Sequence, residues 1–305
     1  MSKRDFLSID DLSIEELKDL LDRAAAVKDK PQKVASALAG KQVALIFEKP
    51  STRTRVSFEV AVTSMGGHAL VLRGDELQIG RGETVSDTGT VLSRFVDCIV
   101  IRTFGHDRLL ELAEAASVPV VNALSDLSHP CQALADMQTI MEQKKDPAGM
   151  VLAYVGDGNN VAHSLMFAAT KLGMHVRVAT PDGHQPDAVV AERCAQIAAE
   201  TGGSVVVTTV VAEAVTDADV LYTDVWASMG QEAETEQRRS TFQRYSIDRT
   251  TLDLAAADAI VMHCLPAHRG EEISADAIDG PQSVVWDQAE NRMHSQKALL
   301  AWLLE

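Results

Sequence analysis

Residues 51–55 read Ser-Thr-Arg-Thr-Arg, three hydroxyls and two guanidinium groups set where an apolar run, Val43 to Phe47, gives way through Glu48-Lys49-Pro50 to an amphipathic stretch ending at Gly66-Gly67. That order predicts a strand, a turn and a helix start. Unpaired backbone N–H groups and the positive end of the helix dipole gather at such a point, and together with the side chains they make an anion site suited to phosphate or carboxylate. A capping Ser51 followed by solvated arginines would account for the same residues taken singly. Two arginines interleaved with hydroxyls in one turn favour anion recognition.

Three further groups have types that could do chemistry. In His129-Pro130-Cys131-Gln132 a proline at the first helical position puts His129 just before a helix and Gln132 on its first turn, so an imidazole and an amide can converge on one ligand. An imidazole donating to a carbonyl oxygen is an electrophilic role; mere helix capping is the plainer alternative. Arg102 closes the run Val96 to Ile101, at the strand edge where open α/β sheets gather ligands. His263-Cys264-Leu265-Pro266 ends another apolar run, and Asp224 to Gly230 (Asp-Val-Trp-Ala-Ser-Met-Gly) follows a third and suits a ligand-covering loop. Zinc is the rival use of His129, Cys131, His263 and Cys264. Adjacent His-Cys pairs do not readily face one metal, and no CxxC, HxxxH or HExxH spacing occurs, so no metal site is expected.

The elements that must position these groups follow from periodicity. Short β-branched runs alternate with amphipathic stretches, the pattern of parallel sheets with helices on their faces. Strands are predicted at 43–47, 69–72, 96–101, 118–121, 151–155, 174–179, 204–208, 219–223 and 258–263, with a first helix from a Ser13/Glu16 capping box to about Lys28. The strands fall into two groups separated by the charged segment 142–146 before Pro147 and Gly149. The expected fold is α/β: two doubly wound domains, each with a mainly parallel central sheet flanked by helices. The first spans 1–140, the second 150–280, and a last helix, 287–305, returns to the first domain.

Composition bounds the function. The 305 residues, 46% hydrophobic and 24% charged, can bury two cores, and 28 basic against 44 acidic residues leave a net charge of −16. Such a surface repels nucleic acid and anionic membranes, so an anion must be caught locally. Four cysteines without framework spacing point to a reducing compartment. The start, Met-Ser-Lys-Arg-Asp-Phe, has no apolar signal core and no run of 18 apolar residues occurs, which predicts a cytoplasmic location.

The motifs at 51–55, 129–132, 224–230 and 263–272 (His-Cys-Leu-Pro-Ala-His-Arg-Gly-Glu-Glu), in their order, spacing and chain length, resemble the ornithine carbamoyltransferase family over essentially the whole chain. Leu77-Gln78-Ile79-Gly80-Arg81 and Gly156-Asp157-Gly158-Asn159-Asn160 fit it too, and no functional motif departs from it. The resemblance implies that carbamoyl phosphate and L-ornithine give L-citrulline and phosphate without a cofactor. It implies that Ser51, Thr52, Arg53 and Thr54 hold the phosphate, and that Arg102, His129, Gln132 and Arg292 with Thr54 hold the carbamoyl group. Gln78 would reach carbamoyl phosphate from a neighbouring subunit of a homotrimer, with active sites between subunits. Asn160, Asp224, Ser228 and Met229 would hold the α-amino and α-carboxylate groups of ornithine, with Cys264 and Leu265 beside its side chain. Arg53, Arg102, His129 and Cys264 would be catalytic. Arg55 would be structural, pairing with Glu59 four residues on.

Rival readings meet specific obstacles. An aspartate-carbamoylating relative needs cations for a dicarboxylate, yet the 224–230 loop supplies an acid and no Lys or Arg. Putrescine and N-acetylornithine would each leave part of an amino-acid clamp unpaired. A dinucleotide-dependent oxidoreductase is hinted at by Gly156-Asp157-Gly158, but Val161 stands where the third glycine belongs and no acid ends the next strand. A non-catalytic ligand sensor on the same fold would not be expected to keep every site motif intact.

Overall fold

The structure, a computed structural model, describes residues 3–78, 82–227 and 235–305. Its contacts divide the chain into two units, Met1–Gln138 with Asn291–Glu305, and Thr139–Glu290.

In the first unit α1 (Ile14–Asp29) starts on the expected capping box: the Glu16 N–H donates to Ser13 Oγ at 3.1 Å and the Ser13 N–H to the Glu16 carboxylate at 2.9 Å. There follow β1 (Gln42–Phe47), α2 (Thr52–Ser64), β2 (His68–Arg73), α3 (Val85–Leu92), β3 (Cys98–Arg102), α4 (His106–Ala115), β4 (Val120–Leu124) and the start of α5 (Pro130–Lys144). The strands form one parallel sheet in the order β2-β1-β3-β4. All five residues of β3 are buried, as expected of a parallel strand covered on both faces. From β1 the chain first steps outward to β2, then crosses to β3 on the other side. The strand order therefore reverses between β1 and β3, whose last residues, Phe47 and Arg102, are register partners. Ligands of open α/β sheets bind at such a switch point, beyond the carboxyl ends of the strands.

The second unit repeats the device with β5 (Val151–Val155), α6 (Asn160–Lys171), β6 (His175–Ala179), α7 (Ala188–Thr201), β7 (Ser204–Thr208), α8 (Val211–Val215) and β8 (Val220–Thr223). It continues with α9 (Thr235–Phe242), α10 (Arg249–Leu254), β9 (Ile260–His263), α11 (Ala275–Ile278) and the start of α12 (Val285–Leu304). Its five parallel strands run β7-β6-β5-β8-β9, so the order reverses between β5 and β8. Every residue of α6 is buried. The end of α12 belongs to the first unit, where Lys28 Nζ donates to Asn291 Oδ1 at 2.8 Å and the Arg4 guanidinium lies 4.2 Å from the centroid of the Trp302 ring.

All nine expected strands are present, some with shifted ends. β3 begins at Cys98 rather than residue 96; Asp97 donates its N–H to the Gln42 carbonyl at 2.8 Å, and its side-chain carboxylate rather than its backbone takes the Gln42 N–H at 2.8 Å. β4 begins at Val120 rather than 118; Pro119 has no N–H for the ladder, though its carbonyl accepts from Ile99. Among the described residues no helix is long and apolar enough to cross a membrane, and all four cysteines are buried free thiols.

Candidate functional site

The residues singled out by chemistry fall into two groups, one in each unit. In the first unit Ser51 is the N-cap of α2, its Oγ accepting the Thr54 N–H at 3.3 Å. One cap leaves the rest of the first-turn N–H groups directed outward. Thr54 is fully buried, and Arg292, from α12, donates to its Oγ1 at 2.8 Å. The two arginines of the pentapeptide separate in role. Arg55 forms an exposed pair with Glu59 at 3.6 Å, whereas Arg53, half-buried, makes no ion pair or side-chain hydrogen bond among the described residues.

Arg102 ends β3 and is 8% exposed. His129, buried immediately before α5, has its pKa held well below 6.5, first by burial and then by the charges of Arg292 and Arg102. The imidazole is therefore neutral at physiological pH. Gln132 Nε2 donates to Asp136 Oδ1 at 2.8 Å, and its Oε1, buried, takes no hydrogen bond among the described residues. Burial pushes the Cys131 thiol up to about 12, and its Sγ donates to the Asn122 carbonyl at 3.4 Å, so Cys131 packs rather than reacts. Gln78 is exposed, and no hydrogen bond ties its side chain to this group.

One residue of this half was not legible as a participant. The Glu48 carboxylate accepts from Arg108 at 2.6 Å and from Thr103 Oγ1, anchoring the turn that leads into Ser51 to α4 and to the end of β3. Its partners lie 60 and 55 residues away in sequence, beyond any local pattern. Lys49 beside it is lowered in pKa by burial and by the charge of Arg102.

His129 also makes a prediction about stability. Its folded pKa lies below the unfolded value of about 6.5, so on acidification the unfolded state binds a proton first. Stability is complete above about pH 6.5 and falls as the pH drops through that value toward the folded pKa. Urea midpoints measured from pH 7.5 to 5 should fall more steeply for the wild type than for His129→Asn. Parallel slopes would remove the effect.

In the second unit the β5–α6 turn is Gly156-Asp157-Gly158-Asn159. A Cβ on Gly158 would lie 2.3 Å from Pro186 N and 2.5 Å from Gln185 C, so this glycine serves close approach of the 185–186 backbone. That use removes the dinucleotide reading's best support. Asp157 is raised in pKa by burial, against the opposing charge of Arg238, whose guanidinium donates to it at 2.8 Å and to the Trp226 carbonyl at 2.8 Å.

Asp224 follows β8 and is 6% exposed. Cys264, following β9, donates its thiol to Asp224 Oδ1 at 2.9 Å, while Asn159 Nδ2 donates to Oδ2 at 3.1 Å. Asn160 is buried at the start of α6. Leu265 sits at φ 59, and its N–H donates to His263 Nδ1 at 2.8 Å. Nδ1 accepts that bond, so the proton is on Nε2, which faces Glu272 Oε1 at 3.2 Å. Asp224, His263 and Cys264 offer ligand atoms within 4.8 Å of one another, yet both His263 nitrogens are committed to protein partners. Ser228 and Met229 lie outside the described residues.

Residues 4–142 match the family description "Aspartate/ornithine carbamoyltransferase, carbamoyl-P binding domain", and residues 148–303 match the Asp/Orn binding domain of the same family. A Parafrankia ornithine carbamoyltransferase is 56% identical over 308 residues, covering 100% of this chain and 97% of its own. The anabolic ornithine carbamoyltransferase of Pyrococcus furiosus is 55% identical over 306 residues, covering 100% and 97%. A solved structure of ornithine carbamoyltransferase from P. furiosus superposes with a TM-score of 0.95, covering 98% of this chain and 96% of that one. An acetylornithine transcarbamylase complexed with acetylcitrulline is similar with a TM-score of 0.89 at 32% identity, covering 99% of each chain.

Proposed function

Because the chain belongs to the aspartate/ornithine carbamoyltransferase family, we propose that it transfers the carbamoyl group of carbamoyl phosphate to the side-chain amine of L-ornithine, releasing L-citrulline and phosphate. The neutral amine attacks the carbonyl carbon, negative charge grows on the carbonyl oxygen, and the C–O bond to phosphate then breaks as the departing phosphate takes up the proton lost by the attacking nitrogen. Fixed donors aimed at those oxygens supply most of the acceleration in such a reaction.

The observation that carries this reading is His129, buried and neutral beside Arg102 and Arg292. A neutral imidazole N–H flanked by guanidinium groups is a donor set for an oxygen that gains charge. We assign Arg102, His129, Arg292 and the Thr54 hydroxyl to the carbamoyl oxygen. Gln132 Oε1 accepts from the carbamoyl NH2. The N-terminus of α2, with Ser51, Thr52, Arg53 and Thr54, takes the phosphate and stabilises it as it leaves.

For the second substrate we assign Asp224 to the α-ammonium of ornithine and Asn160, Ser228 and Met229 to its α-amino and α-carboxylate end, with Cys264 and Leu265 beside the side chain. A carboxylate at the end of β8 suits an amino-bearing substrate over aspartate. A free α-ammonium also distinguishes ornithine from N-acetylornithine, and the 32% identity to the acetylornithine enzyme against 55–56% to the ornithine enzymes agrees with that choice.

We further assign a cytoplasmic location, the citrulline-forming direction, and a homotrimer in which Gln78 serves the carbamoyl phosphate of a neighbouring subunit. Exposed Phe95, Val56, Val60 and Val91 support an association surface. Citrulline formation by the purified protein, assayed beside aspartate, putrescine and N-acetylornithine as acceptors, tests the activity. A product with any acceptor but ornithine, or none at all, would overturn it; a monomeric mass in solution would overturn the trimer.

A further inference from the structure

We infer that Asn159 is a positioning residue for the amino-acid substrate: one side-chain amide caps the substrate-contacting helix and aims the Asp224 carboxylate. The inference deepens the proposed function and rests on it, since Asp224 matters to catalysis only as a substrate ligand. The sequence motif Gly156 to Asn160 includes Asn159, but only Asn160 is given a role there.

The two ends of the amide have separate partners. Oδ1 accepts the N–H groups of Val161 at 2.9 Å and Ala162 at 3.3 Å, closing the first turn of α6. The Tyr154 hydroxyl lies 3.5 Å from the same oxygen, and burial together with the charges of Asp224 and Asp157 raises the Tyr154 pKa, keeping that hydroxyl protonated as a donor. With only donors around one terminus, the amide has one satisfiable orientation, and its Nδ2 must face outward. There it meets Asp224 Oδ2 at 3.1 Å.

Asp224 is thereby held from two sides, by Asn159 on Oδ2 and by the Cys264 thiol on Oδ1. The cap ties this carboxylate to the start of α6, where Asn160 stands. A carboxylate with both oxygens pinned presents a fixed acceptor direction to an arriving ammonium, so less freedom is lost on binding. Sheet topology explains the meeting: Asn159 leaves β5 and Asp224 leaves β8, the neighbouring strands at the reversal of strand order.

The deciding variant is Asn159→Ser. Serine keeps a cap oxygen for α6 and has no amide N–H to reach Asp224. The KM for ornithine is expected to rise about tenfold, the loss of about 1.4 kcal/mol, while the KM for carbamoyl phosphate and the thermal midpoint stay within error. Asn159→Asp, which also caps but faces Asp224 with a second carboxylate, should raise the ornithine KM further at neutral pH. A role confined to capping would leave both KM values unchanged in the two variants. An unaltered ornithine KM with normal wild-type turnover overturns the inference alone. Absence of citrulline formation by the wild type overturns the functional reading, and the inference with it.

Discussion

Alanine in place of Arg53 is expected to lower turnover by about 10²–10³-fold, the usual cost of losing one fixed donor to a developing negative charge. The same change at Arg55 should alter it by no more than about twofold. The two guanidinium groups are separated by a single threonine, and composition gives no reason to rank them. Their surroundings do. Arg55 points along the exposed face of α2 toward Glu59, 3.6 Å away, in a solvated pair, and such pairs contribute about 0–1 kcal/mol to stability. Arg53 stands in the first turn of α2, half-buried, with no protein carboxylate to neutralise it among the described residues. Its charge adds to the helix dipole and to the free first-turn N–H groups. The phosphate gains charge as its bond to carbon breaks, so the interaction strengthens in the transition state and the loss should fall on kcat as well as on KM. Arg53→Lys, which keeps the charge but not the planar fork, should recover only part of the rate. Steady-state kinetics on the three variants check this, and equal effects of Arg53→Ala and Arg55→Ala would exclude the assignment.

The parts of this protein that could be read from its sequence are those written in local periodicity. β-branched runs such as Val43 to Phe47 and Val151 to Val155 declare themselves because a strand buried on both faces needs nearly every residue apolar. The ends of strands are less legible because they depend on groups such as Asp97, whose carboxylate caps the Gln42 N–H across the sheet. The site motifs were visible where a residue type is unusual for its place, as with guanidinium groups at a helix start or a His-Pro at another. What stayed hidden was pairing over long separation. The Arg292–Thr54 bond joins residues 238 apart, and nothing in the helical pattern around Arg292 distinguishes it from a surface arginine. Glu48 and Asn159 escaped for the same reason: each looks like a turn residue until Arg108 and Asp224 come to it through the sheet.

Asp224→Asn should reduce kcat/KM for ornithine by about 10²–10³-fold and leave the KM for carbamoyl phosphate unchanged. Removing one partner of a buried charge pair costs about 2–5 kcal/mol, and the Asp224 carboxylate is 6% exposed, so water cannot replace it cheaply at the bound ammonium. The neighbouring thiol then decides between two roles for Cys264. In the structure Cys264 donates to Asp224 Oδ1 at 2.9 Å, which makes it a proton holder that orients the carboxylate. Serine can make the same donation, so Cys264→Ser is expected to stay within about tenfold of wild type in kcat/KM, whereas Cys264→Ala, which leaves Oδ1 without its donor, should lose more. A proton-accepting thiolate predicts no such difference, because a serine hydroxyl does not ionise near neutral pH and the two variants would then be equally impaired. The comparison of serine with alanine at this position therefore reads out whether the Cys264 sulfur acts as a proton donor to Asp224 or as a proton acceptor.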